Sequence, residues 1–139
     1  MVSNVRASIG VGLLLGLTLS LLMWVSASPA QAATVTDCQA EITDLKSLTV
    51  SATFLGKNAT KAEDGLLLKL DAASAKVDEG KYQDAIDKLT DFENTVIALD
   101  AGGKIDPDND INASDLEAGA DKAIACVQEL IDAQAPTAA

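Results

Sequence analysis

Two amphipathic segments joined by a very short connection constrain this fold more than any other feature. In the first segment, apolar residues recur at steps of three and four, at Leu66, Leu70, Ala73 and Val77. In the second segment, the apolar face contains Tyr82, Ile86, Leu89, Phe92, Val96 and Leu99. This spacing is that of one face of an α-helix, and Gly80 between the segments can end a helix in the left-handed conformation. The sequence therefore predicts an antiparallel helical hairpin over residues 60–99, stopped by Gly102 and Gly103.

One further helix is predicted on each side of this hairpin. The helix before it covers about 37–50, with Asp37 or Thr36 as its N-cap and an apolar face of Cys38, Ile42, Leu45 and Leu48. The helix after it runs to about Asp132, with an apolar face of Leu116, Ala120, Ala123, Val127 and Leu130. We therefore expect an all-α domain over residues 33–132, a small antiparallel four-helix bundle, followed by a disordered tail over 133–139.

Two helix starts carry the pattern of a capping box, in which a Ser or Thr and a Glu three residues later satisfy each other's backbone N–H groups. Thr60 and Glu63 have this spacing before the second helix, and Ser114 and Glu117 have it before the fourth. The pattern predicts that Thr60 and Ser114 are N-caps.

The first 32 residues have the pattern of a secretory signal peptide. Arg6 precedes an apolar run from residue 9 to 25, and Ala30-Gln31-Ala32 supplies the small residues of a cleavage site. We expect cleavage after Ala32 and a location outside the cell or in the cell envelope or periplasm. The alternative is an uncleaved membrane anchor, although the apolar run is slightly short for a spanning helix of about 20 residues.

The charge of the mature chain limits its partners. All 21 acidic residues follow the leader, against nine lysines, so the net charge is −12, one unit below the −11 of the whole chain because Arg6 is lost. Nucleic-acid binding relies on Lys and Arg to neutralise phosphates, and a grip on anionic membranes also needs basic residues. We therefore expect no nucleic-acid partner, and no membrane association once the leader is removed.

The two cysteines, Cys38 and Cys126, lie near the two ends of the mature domain. In an oxidising compartment such a pair is usually a disulfide, and a domain with few large residues would gain from one. We predict the Cys38–Cys126 bond; the alternative is two free buried thiols.

The central stretch, residues 65–105, resembles the FIMAH domain of bacterial secreted proteins. The matching positions are Leu67, Lys69, Leu70, Ala73, Val77, Gly80, Ala85, Leu89, Phe92, Val96, Gly103, Lys104 and Ile105. The sequence departs from the family pattern at Glu93, where an aliphatic residue is usual, at Lys88 in place of glutamine, and at Ile86 in place of alanine. The resemblance spans roughly residues 40–131 and implies a helical module without catalytic residues, used for binding or spacing.

Few residues offer catalytic chemistry. The chain has no histidine, which is the commonest general base and metal ligand, and two distant cysteines are too few for structural zinc. Paired carboxylates would suit a small secreted hydrolase, but a mature chain this small leaves little room for a cleft. We expect a non-enzymatic binding or structural module with an extracellular or envelope partner, in which Tyr82 and Phe54 are either core contacts or part of a partner-binding patch.

The loop DPDNDINASDLE, residues 106–117, raises a rival hypothesis. Asp106, Asp108, Asp110 and Glu117 occupy positions 1, 3, 5 and 12 of an EF-hand calcium loop. Ile111, however, stands where that loop needs glycine, and the similarity of its second half to a dockerin loop is also incomplete. These four residues are candidate ligands of a calcium-responsive module; the alternative is an acidic turn followed by a capped helix.

Overall fold

The computed structural model describes residues 31–135. Four helices occupy this range: α1 Val35–Ser51, α2 Ala59–Asp78, α3 Tyr82–Ala101 and α4 Ala113–Gln134. Each helix packs against its two neighbours in a ring, α1 on α2 and α4, and α3 on α2 and α4. The predicted all-α four-helix bundle is confirmed. The predicted leader lies outside the described residues, except for Gln31 and Ala32.

The apolar faces predicted from the sequence form the core. Every predicted inward residue of α2 and α4 is buried, and Phe92 is the largest fully buried side chain at the centre of α3. Leu48, Tyr82, Ile86 and Leu99 are only half-buried and pack against the rim of the core. The three-and-four spacing therefore predicted the buried face of each helix, and only residues at the edges of these faces are less buried than expected.

Glycines end α2 and α3 as the sequence predicts. Gly80 has φ +71° and Gly103 has φ +60°, both in the left-handed region that side chains with a Cβ rarely adopt. The connection between α2 and α3 is therefore as short as predicted, and it fixes the two helices as an antiparallel hairpin.

The predicted N-caps are wrong at three helices. The N-cap of α1 is Thr34, not Thr36 or Asp37: Thr34 N donates to Asp37 Oδ2 at 2.9 Å, and Asp37 N donates to Thr34 Oγ1 at 3.2 Å. Helix α2 begins at Ala59 after Asn58, with no side-chain cap, so Thr60 and Glu63 form no capping box.

The fourth helix also starts earlier and ends later than predicted. Asn112, not Ser114, is its N-cap, because Asn112 Oδ1 accepts a bond from Ser114 N at 2.9 Å and Asn112 N donates to Asp115 Oδ2 at 3.0 Å. The helix continues to Gln134, two residues into the segment predicted as a disordered tail. Residues 136–139 of that tail lie outside the described range.

The two long connections are tied together at one end of the bundle. Phe54 and Ile105 form an isolated antiparallel bridge, in which Leu55 N donates to Lys104 O at 2.7 Å and Asp106 N donates to Thr53 O at 2.9 Å. The buried Ile105 side chain and the half-buried Phe54 close the core there. This bridge fixes where the acidic loop after α3 begins.

Candidate functional site: the acidic loop and the groove between α1 and α4

The acidic loop is anchored by an asparagine rather than by its acids. Asn109 Nδ2 donates to Ser51 O at 3.1 Å and to Thr53 Oγ1 at 3.0 Å, which fastens the loop to the end of α1. Asp106 Oδ1 accepts a bond from Asp108 N at 3.0 Å and stabilises the turn. Asp106 therefore has a role in the loop's own backbone structure.

The four candidate calcium ligands are not gathered into one site. Asp108 and Asp110 are exposed in the loop, whereas Glu117 lies in α4 and acts on Glu93 of α3. Within residues 31–135, no three acidic or cysteine side chains converge in a geometry that could hold a metal ion. Calcium binding by this loop stays a prediction, and a calcium titration of the thermal midpoint tests it, because a ligand specific to the native state raises that midpoint.

Glu93 of α3 is half-buried and feels the negative charges of two acidic residues of α4. Partial burial raises the pKa of the Glu93 carboxyl, and the negative charges of Asp121 and Glu117 on α4 raise this pKa further. The ionised form of Glu93 is therefore disfavoured in the folded protein. At this position the bundle holds a carboxyl group at an energetic cost.

The predicted disulfide is present and joins the first turn of α1 to α4. The Cys38 and Cys126 sulfurs are 2.02 Å apart, and their Cα atoms are 5.4 Å apart. Cys38 is fully buried and Cys126 is half-buried. The bond fixes the register of α1 against α4, because it brings residue 38 beside residue 126 in two antiparallel helices.

In that register Gly119 of α4 lies against Leu45 of α1. A Cβ atom placed on Gly119 would lie 2.8 Å from Leu45 Cδ1 and 3.3 Å from Leu48 Cδ1. Real Cβ atoms essentially never approach another heavy atom as closely as the first of these distances. The missing side chain lets the leucines of α1 pack directly on the backbone of α4.

An open groove runs along this contact between α1 and α4. Its volume is about 480 Å³, within the range of protein ligand pockets. The apolar lining is Leu45, Leu48, Ala118 and Gly119, and the polar lining is Glu41, Asp44, Ser47, Asp115 and Lys122. The groove combines an apolar floor with a rim that carries three carboxylates and one ammonium group.

Sequence reasoning did not predict this groove. The groove residues come from the two ends of the chain and show no shared motif. Gly119 lies inside a helical pattern without any turn nearby, but so does Gly65, which has no atom within 4 Å of an added Cβ atom. An isolated glycine in a helix therefore did not by itself reveal the close contact.

The two aromatic candidates are both half-buried. The Phe54 side chain packs against the core, and its backbone forms the bridge with Ile105. Tyr82 packs against the core at the start of α3. Tyr82 also lines a shallower cavity of about 350 Å³ together with Ile131. Both residues therefore make the core contacts that the sequence suggested as one of their two roles.

Comparisons with known proteins leave the chain without an assigned family. No protein-family model, no curated protein and no solved structure matches it. The resemblance to the FIMAH domain is neither supported nor contradicted, and it stays a hypothesis. None of the four helices in residues 31–135 is both long and apolar enough to cross a membrane.

Proposed function

We propose that this chain is an exported, non-enzymatic binding module whose working surface is the groove between α1 and α4. The observation that carries the proposal is the groove itself, an open volume of about 480 Å³ with an apolar floor and a charged rim. Binding sites commonly combine an apolar lining with a few polar groups that set orientation. The lack of histidine in the whole sequence favours binding over catalysis.

Three features support export. The first residues have the order of a signal peptide, and the disulfide is of the kind that persists in oxidising compartments. Gln31 and Ala32 are exposed, whereas Thr34 already caps α1. Cleavage after Ala32 would therefore leave the first capping box intact.

Site-specific photo-crosslinking on the source cell tests the binding role. Ser47 lines the groove and is exposed, so we would replace it with a photoreactive phenylalanine analogue. Thr90 is an exposed residue of α3, which packs mainly on α2 and α4, and it does not line the groove, so it serves as the matched control position. We expect a discrete adduct from position 47 and none from position 90. The proposal fails if neither position, or both equally, give adducts.

A further inference from the structure

The chemistry of the groove narrows the class of partner, provided that the proposed binding role is correct. Along α1, the groove extends from Glu41 to Leu48, and on α4 it extends from Asp115 to Lys122. Seven residue steps along a helix span about 10 Å. The groove therefore accommodates a short peptide segment rather than a whole domain surface.

The floor of the groove selects for apolar contact. Leu48 is half-buried, and Ala118 is exposed beside it, so both can gain burial when a ligand covers them. Leu45 and Leu48 already fill the space over the Gly119 backbone, so leucine side chains, not that backbone, form the floor there. An apolar side chain of a partner can therefore lie between the two helices and remove this surface from water.

The rim selects for positive charge. Glu41 and Asp44 of α1 and Asp115 of α4 outnumber Lys122, and the mature chain as a whole carries −12. Complementary charge speeds encounter and suppresses wrong partners, while like charge repels them. The same net charge disfavours a second copy of this chain as the occupant.

We propose that the groove between α1 and α4 binds a short basic, amphipathic segment of a partner protein. An apolar side chain of that segment packs on Leu48 and Ala118, the two apolar lining residues that are still accessible. Lysine or arginine side chains on either side of it face Glu41, Asp44 and Asp115.

A binding titration with a defined peptide tests this proposal. The probe is a short fluorescent peptide of lysine and leucine at helical spacing, followed by fluorescence anisotropy against the oxidised mature protein. A second peptide carries glutamate in place of each lysine. We expect the lysine peptide to bind, binding to weaken with added salt, and the glutamate peptide not to bind.

Matched variants distinguish binding at the groove from non-specific attraction to the negative charge of the whole protein. Glu41→Gln with Asp44→Asn removes two rim carboxylates, whereas Asp87→Asn with Glu129→Gln removes two exposed carboxylates outside the groove. We expect the double variant in the rim to lower the affinity for the lysine peptide about tenfold, which is the size expected for losing two exposed charge contacts. We expect the control double variant to change this affinity little. Equal weakening by both pairs would overturn the proposal.

A steric variant provides an independent test of the same surface. Ala118→Lys fills the floor and adds positive charge, and Ala98→Lys makes the same change on an exposed site of α3. We expect loss of peptide binding only in the first variant, with both variants folded by circular dichroism. A wild-type protein that binds neither peptide, or that sediments as a dimer which Ala118→Lys dissociates, contradicts the proposal.

The broader binding role can survive the failure of this inference. If the adduct at position 47 persists unchanged in the rim pair and in Ala118→Lys, the module binds a partner that is not a basic segment. If position 47 gives no adduct in the wild type, the binding role itself fails.

Discussion

Removing the disulfide between Cys38 and Cys126 is expected to lower the stability of the bundle more than any surface change. The bond closes a loop with a sequence separation of 88. By closing this loop, the bond lowers the entropy of the unfolded chain, and this stabilises the folded state by about 4.6 kcal/mol at 25 °C. For a domain of about 105 residues, with an unfolding entropy of about 2.1 cal/mol/K per residue, this lowers the thermal midpoint by about 20 °C.

The assay is thermal unfolding followed by helical circular dichroism, on three samples. Wild-type protein is measured oxidised and after reduction, and the third sample is Cys38→Ala with Cys126→Ala. Cys38 is fully buried, so the double variant also loses packing volume, whereas reduction keeps both sulfurs in place. We expect a large drop on reduction and a slightly larger drop in the double variant. A reduced wild type whose midpoint falls by only a few degrees would refute the reasoning from loop closure.

The remaining predictions concern single residues with matched controls. Gly119→Ala should destabilise the bundle by up to about 2 kcal/mol, because overpacking against the buried Leu45 costs about 1–3 kcal/mol and the gain in helix propensity offsets up to about 1 kcal/mol of it. Gly65→Ala, in α2 with nothing within 4 Å, should stabilise by up to about 1 kcal/mol through helix propensity. Asn112→Ala should cost about 1 kcal/mol as the loss of an N-cap, whereas Ser114→Ala should cost little. Glu93→Gln should stabilise at neutral pH, with an advantage that shrinks as the pH falls through the raised pKa of the folded state.

Denaturant unfolding of each variant checks these expectations. The sign for Glu93 follows from its raised pKa: the folded state binds the proton more tightly, so the ionised carboxyl opposes folding at neutral pH and protonation relieves that opposition. An advantage of Glu93→Gln that grows in acid would contradict this assignment. Equal changes in the free energy of unfolding for Gly119→Ala and Gly65→Ala would contradict the close contact at Gly119. A large loss of stability in Ser114→Ala would indicate that Ser114 is the N-cap, as predicted from the sequence.

The helix faces were predictable because burial in a bundle imposes its own period on the sequence. Leu66, Leu70, Ala73 and Val77 recur at steps that only one face of a helix produces, and all four are buried. Gly80 and Gly103 were predictable because a helix commonly ends in a residue with positive φ, which glycine adopts without steric cost. Both signals are local in the chain, so they can be read without knowing the fold.

The helix starts were harder because several capping residues compete within a few positions. Thr34, Thr36 and Asp37 all suit the start of α1, and Asn112 and Ser114 both suit the start of α4. Tertiary contacts help to settle the choice at α4, where Asn109 holds the loop against α1 just before the helix begins. Such contacts join residues more than fifty positions apart, and local pattern does not reveal them.

The groove could not be predicted from spacing, because it depends on the register between the first and last helices. Cys38 and Cys126 set that register, and only then do Leu45 and Gly119 meet. The calcium hypothesis, by contrast, rests on local spacing alone. Its spacing matched a known loop in part, but Glu117 lies beside Glu93 of α3 instead of joining the loop acids.

Export, leader removal and oxidation of the bundle underlie both the binding role and the partner proposed for the groove. The intact mass of the protein recovered from outside the cytoplasm of its source cell tests all three at once, before and after reduction. We predict the mass of residues 33–139 less two hydrogen atoms, which reduction restores. A mass that retains residues 1–32, or one that reduction leaves unchanged, would contradict the account.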